Sequence, residues 1–150
     1  MDETDDGRHL VIDYKTGSVA RKDWTEDRMA KPQMPLYSVM LEKAESAAIA
    51  GISYAKVDSK EHKFVELSEV GILRADNKTS QGYQDQWQEG KARWPEMFEE
   101  LAEQFLAGHA QVNPIEENTC LYCDLKSLCR VSQLRDSGEL QMQQTEGDHD

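Results

Sequence analysis

Residues 9–17, His9-Leu-Val-Ile-Asp-Tyr-Lys-Thr-Gly17, are the stretch whose reading decides the fold. Leu10, Val11 and Ile12 form an unbroken apolar run, the pattern of a strand covered on both faces. Thr16-Gly17 ends it. Side chains alternate along a strand with period two, so Asp13 and Lys15 leave on one face and Tyr14 on the other. A charge beside such an apolar run is costly without a partner, so Asp13 and Lys15 call for each other or for a bound ion. Two readings follow. Asp13 can hold Mg²⁺ or Mn²⁺ while the Lys15 ammonium positions a water or stabilises negative charge, or the two form a structural ion pair at a sheet end.

Outward from this strand the chain alternates strand and helix. Residues 18–32 are polar and irregular. A helix is expected from Gln33 to Ala50, with Pro35 in its first turn and Leu36, Val39, Met40, Ala44, Ala47 and Ala48 at helical spacing. Strands follow near Ile52–Val57 and Phe64–Leu67, joined by a charged turn, and then a loop over 70–80. A helical region spans Gln81 to Ala107, with Pro95 expected to begin a second segment and Gly108 to stop it. A short helix is expected at Leu125–Cys129, and a disordered polar tail over 132–150. Gln33 and Tyr37, four residues apart, share one helical face just after the first strand. They read either as contacts to a phosphate or base edge or as a plain surface pair.

Cys120, Cys123 and Cys129, spaced C-x2-C-x5-C, are all the cysteines of the chain. An odd, clustered set reads as metal or iron–sulfur ligands, or as three incidental thiols near a helix start, rather than as a disulfide framework. Three thiolates leave a tetrahedral site one ligand short.

Composition bounds the partners. The 150 residues carry 17 basic and 29 acidic side chains, a net charge of −12. The excess sits mostly in the second half: the net charge is −2 over residues 1–64 and −10 over 65–150. Attraction to a phosphate backbone normally has the opposite sign, so nucleic acid can be met only at a local site, and the first half is where one fits. No apolar run approaches the length of a membrane span, and no signal-like opening is present, so the expectation is a cytoplasmic protein.

The ordered set VIDYKTG, then Gln33 and Tyr37 in Q-x3-Y, then the cysteine motif followed by Arg130, resembles the PD-(D/E)XK nuclease superfamily, in particular its RecB- and AddB-like branch. The resemblance runs to about Val131. It implies an α/β, restriction-endonuclease-like mixed sheet flanked by helices, with residues 1–131 as the nuclease domain and 132–150 as the tail. It implies Asp13 as a metal-binding acid, with the Tyr14 carbonyl on the same metal and Lys15 as the lysine of the D-x-K motif. Gln33 and Tyr37 lie near the active site and the DNA. Cys120, Cys123 and Cys129 match the last three ligands of a [4Fe–4S] cluster.

In this branch an earlier acid lies in a G-x-x-D-R-x-D pattern, of which Asp2 matches only the last aspartate. The expectation is therefore a C-terminal fragment that lacks the N-terminal part of the fold, inactive alone, with the cysteine site holding zinc or empty. The implied function is metal-dependent DNA hydrolysis in repair or recombination, alongside a helicase-like partner region. A dimer through an exposed sheet edge is also expected. The rival reading is a non-catalytic DNA- or protein-binding module on the same scaffold.

Overall fold

The computed structural model describes residues 1–59, 62–73, 81–115 and 117–138. It divides into two units, Met1–Glu103 and Gln104–Asp150.

The first unit is built on a four-stranded mixed sheet in the order β1 (Asp2–Glu3), β2 (His9–Lys15), β3 (Ile49–Val57), β4 (His62–Ser68). β2 and β3 run parallel, with Asp13 opposite Tyr54 and Lys15 opposite Lys56, and β4 returns antiparallel to β3. A parallel pair needs a crossover, supplied by α1 (Lys22–Thr25) and α2 (Gln33–Glu45). The expected mixed α/β sheet flanked by helices is thus what the chain forms. β3 is the central strand, buried from Ile49 to Ala55. Its alternate residues Ile52 and Tyr54 join Val11, Val65 and Leu67 on the face that meets Trp24, Met34, Val39, Trp87 and Trp94.

Two backbone positions let these layers close. Gly51 lies between Leu10 and Ser68; a Cβ there would stand 2.5 Å from the Ser68 Cβ and 3.1 Å from the Leu67 carbonyl oxygen. On α3 (Gln81–Leu106), Gly90 leaves room for the Trp94 ring, which a Cβ would meet at 2.6 Å. Trp94 then packs edge-to-face on Trp87, with ring centroids 5.7 Å apart.

Some element limits differ from those read in the sequence. α2 ends at Glu45 rather than Ala50, because Ser46 turns left-handed (φ 53°) and its N–H bonds the Leu41 carbonyl. Ala47 and Ala48 match the helical spacing only by coincidence; the chain from Ile49 is needed as the central strand. Pro95 does not start a new segment: α3 is continuous through it. Proline removes one amide donor, but the helix face before it (Trp87, Trp94) and after it (Met97, Phe98) packs into one core, and that burial carries the helix across. β3 and β4 are each longer than expected.

The second unit holds a 3₁₀ turn (Glu117–Cys120), α4 (Lys126–Cys129) and α5 (Val131–Asp136). α5 replaces the start of the expected polar tail; 139–150, and 74–80 of the expected loop, lie outside the described residues.

Because Gly51 has no space for a side chain, Gly51→Ala is expected to destabilise the protein by about 1–3 kcal/mol through overpacking against β4. Urea unfolding of the purified variant measures this as a lowered midpoint.

Candidate active site

Asp13 and Lys15 emerge side by side at the C-terminal end of β2, as strand alternation requires. The Lys15 Nζ lies 2.7 Å from Asp13 Oδ2, with both side chains about one-third exposed or less. That oxygen is buried yet accepts no hydrogen bond of good direction, so Lys15 meets it by charge and proximity. Tyr14 points the other way and is 74% exposed.

The Asp13 carboxylate raises the Lys15 pKa, against the opposing effect of burial, with smaller contributions from Tyr54 and Tyr37 in the same sense. Lys15 is therefore a fixed cation at neutral pH and serves as a donor rather than as a base. The Tyr54 ring, directly across the ladder from Asp13, faces the ammonium with its centroid 5.7 Å from Nζ. Tyr54 is itself buried, and burial pushes its phenol pKa up, partly offset by the hydrogen bond it accepts from Trp24 Nε1 at 3.0 Å.

Trp24 is held by a tied-down crossover. Asp23 Oδ2 accepts from the Ala20 N–H at 3.1 Å and from Lys31 Nζ at 2.9 Å, and Lys31 Nζ also donates to the Ser18 carbonyl. Arg93 of α3 donates to Asp27 Oδ1 and to the carbonyls of Thr25 and Glu26. Arg21 donates to the Glu66 carbonyl at 2.8 Å and stacks 3.7 Å from the Tyr83 ring centroid. The crossover thus behaves as a rigid wedge under Tyr54, and Tyr54 in turn supports Lys15.

Gln33 and Tyr37 lie in the first turns of α2. Gln33 Nε2 donates to Tyr37 Oη at 3.1 Å, on an exposed surface. α2, which carries the Q-x3-Y pair, packs on β2 and β3, the strands that carry Asp13, Lys15 and Tyr54.

Cys120, Cys123 and Cys129 belong to the second unit. All three are free and partly exposed. Cys123 Sγ accepts weakly from the Leu125 N–H, and Cys129 Sγ donates weakly to the Lys126 carbonyl. No group of three or more His, Cys, Asp or Glu side chains able to hold a metal forms among the described residues. The thiols have the soft donor chemistry of a zinc or iron–sulfur site, but their positions do not fit one, and the expected cluster finds no support in the geometry.

Sequence reasoning missed Tyr54, Trp24 and Lys56. The signal was present in Ser53-Tyr-Ala-Lys-Val-Asp58, where Tyr54, Lys56 and Asp58 alternate as Asp13 and Lys15 do. Only the register of β3 against β2 shows that the two alternations share a face.

An acid and a lysine two residues apart on a mixed-sheet strand, with a Gln–Tyr helix following, form a D-x-K arrangement. The model of the PD-(D/E)XK nuclease superfamily matches residues 1–130, and the chain belongs to that superfamily. Its nucleases typically use Mg²⁺ or Mn²⁺. No curated protein and no solved structure matches the chain.

Two outcomes follow from this geometry. Lys15 and Tyr54 both have raised pKa values, so the stability each contributes is fully present below the unfolded values, about 10 for both groups, and is lost as pH rises through the folded ones. Tyr54→Phe should be less stable than the wild type at neutral pH, by about 1–3 kcal/mol for the orphaned Trp24 N–H, but should lose less stability between pH 9 and 11. Urea midpoints at the two pH values check both parts. For the thiols, Ellman's reagent should titrate all three in the native protein, and anaerobically purified chain should contain no stoichiometric iron and sulfide.

Proposed function

We propose that the chain is a metal-dependent DNA nuclease domain of the RecB- and AddB-like type, hydrolysing phosphodiesters in DNA repair or recombination. The observation that carries this reading is the Asp13 carboxylate: a buried oxygen with no directional hydrogen bond, in contact with a lysine held protonated. A hard divalent cation prefers such oxygen donors, and Asp13 Oδ2 with the Tyr14 carbonyl is the set that would hold it. The cation, when bound, activates a water and neutralises charge on the phosphate.

The remaining roles belong to the chain's own residues. Lys15, kept cationic by Asp13, donates to the attacking water or to a phosphate oxygen where charge develops. Tyr54 beneath it restricts where that ammonium can point. The Gln33 amide orients the Tyr37 phenol by donating to its oxygen, which leaves the Tyr37 O–H to donate to a phosphate oxygen of the DNA.

In a protein that carries the complete nuclease domain, Asp13→Ala and Lys15→Ala should each lower cleavage of linear DNA in Mn²⁺ on the order of 100-fold or more, with thermal unfolding still cooperative. Retained DNA binding with no cleavage by the wild-type protein carrying the complete domain would favour the non-catalytic binding module instead. Wild-type rates in both variants would remove Asp13 and Lys15 from the chemistry.

A further inference from the structure

Three lysines stand in one row on the face of the sheet that carries Asp13. Lys15 of β2 lies opposite Lys56 of β3, and Lys56 lies opposite Lys63 of β4. Residues directly opposite across a ladder place their side chains on the same face, so the row crosses the sheet at one level. On this face Asp13 and Tyr54 form the preceding rung, two residues earlier. Neighbouring strands are about 4.8 Å apart, so the row spans about 10 Å from its first Cα to its third.

Such a row is electrostatically unfavourable by itself, because like charges directly opposite destabilise a ladder. Acids offset it in part, among them Asp13 at 2.7 Å from Lys15 and Asp58 at 3.0 Å from Lys56, whose side chain is 17% exposed. Lys63, on the outer strand, is exposed. Three cations in register are notable in a chain with a net charge of −12, and they begin at the candidate active site.

We infer that Lys15, Lys56 and Lys63 form a phosphate-contact path that leads the DNA backbone across β3 and β4 to Asp13. The inference rests on the nuclease reading above and adds to it the course of the substrate strand. Consecutive phosphates of one DNA strand are separated by more than their axial rise of about 3.4 Å, because the backbone also turns around the axis, so a row of about 10 Å faces about two of them. Contacts of this kind set position and register without reading bases, which assigns Lys56 and Lys63 to holding the strand rather than to sequence choice. Asp58 competes with the incoming phosphate for Lys56.

The test is binding of a fluorescein-labelled DNA oligonucleotide to the whole chain in EDTA, followed by anisotropy over a series of KCl concentrations. Each lost lysine–phosphate contact reduces the magnitude of the slope of log K against log[salt] by about 0.7–0.9. Lys56→Gln and Lys63→Gln should each show that reduction, Lys56→Arg should keep the wild-type slope, and Asp58→Asn should bind more tightly at low salt. Lys43→Gln, on α2 beside Glu99, should leave the slope unchanged. If Lys56→Gln fails to fold by circular dichroism, Lys63→Gln and Asp58→Asn carry the test. Salt-dependent binding by the wild type with unchanged slopes in the folded lysine variants would overturn the path and leave the nuclease reading standing. Absence of salt-dependent DNA binding by the wild type would overturn both.

Discussion

The parallel pairing of β2 with β3 is the constraint on which the rest depends. It sets Asp13 against Tyr54 and Lys15 against Lys56, and so decides which side chains share a face with the D-x-K pair. A slip of one residue would turn every side chain of β2 to the opposite face, carrying Asp13 and Lys15 away from Tyr54 and Val11 out of the core. Register is held where backbone approach is closest. Gly51 admits Leu10 on one side and Ser68 on the other, and no larger residue fits there. Packing of the face that carries Gly51 therefore helps fix the placement of Asp13 and Lys15 on the other.

The crossover between β2 and α2 is more than a connection. Its short helix supplies Trp24, wholly buried, whose indole N–H reaches the Tyr54 phenol. Asp23 and Lys31 close the crossover on itself, while Arg93 ties it to α3 through three acceptors. A buried tyrosine hydroxyl and a buried indole satisfy each other here, where either one alone would be costly. The polar, irregular composition of residues 18–32 is consistent with this, since the segment is ordered by hydrogen bonds and a single large aromatic anchor rather than by periodic apolar packing.

Electrostatics in this chain are local. The acidic excess lies mainly in the second half, while the sheet presents lysines in register at the end of β2. Net charge governs long-range approach, whereas contacts within a few ångströms depend on which side chains stand together. The carboxylates paired with Lys15 and Lys56 keep those cations oriented, and in the case of Lys15 protonated.

Much of this was legible in the chain itself. The apolar run Leu10–Ile12, the alternation of Asp13 and Lys15, and the four-residue spacing of Gln33 and Tyr37 are local patterns, and local patterns survive into the fold because strand and helix periods are properties of the backbone. Helix ends were less legible: Ala47 and Ala48 fit a helical period but yield to the central strand, and Pro95 signals a break that the tryptophan core overrides. The three cysteines show the reverse case, close in sequence but not gathered into a ligand group. What only the tertiary structure decided is the partnership across strands and layers: Tyr54 under Lys15, Trp24 under Tyr54, and Lys56 opposite Lys15. Those contacts join residues 30 or more apart in sequence, and no local period encodes them; they follow from the register of one strand on another and from which side chains fill the space between sheet and helices.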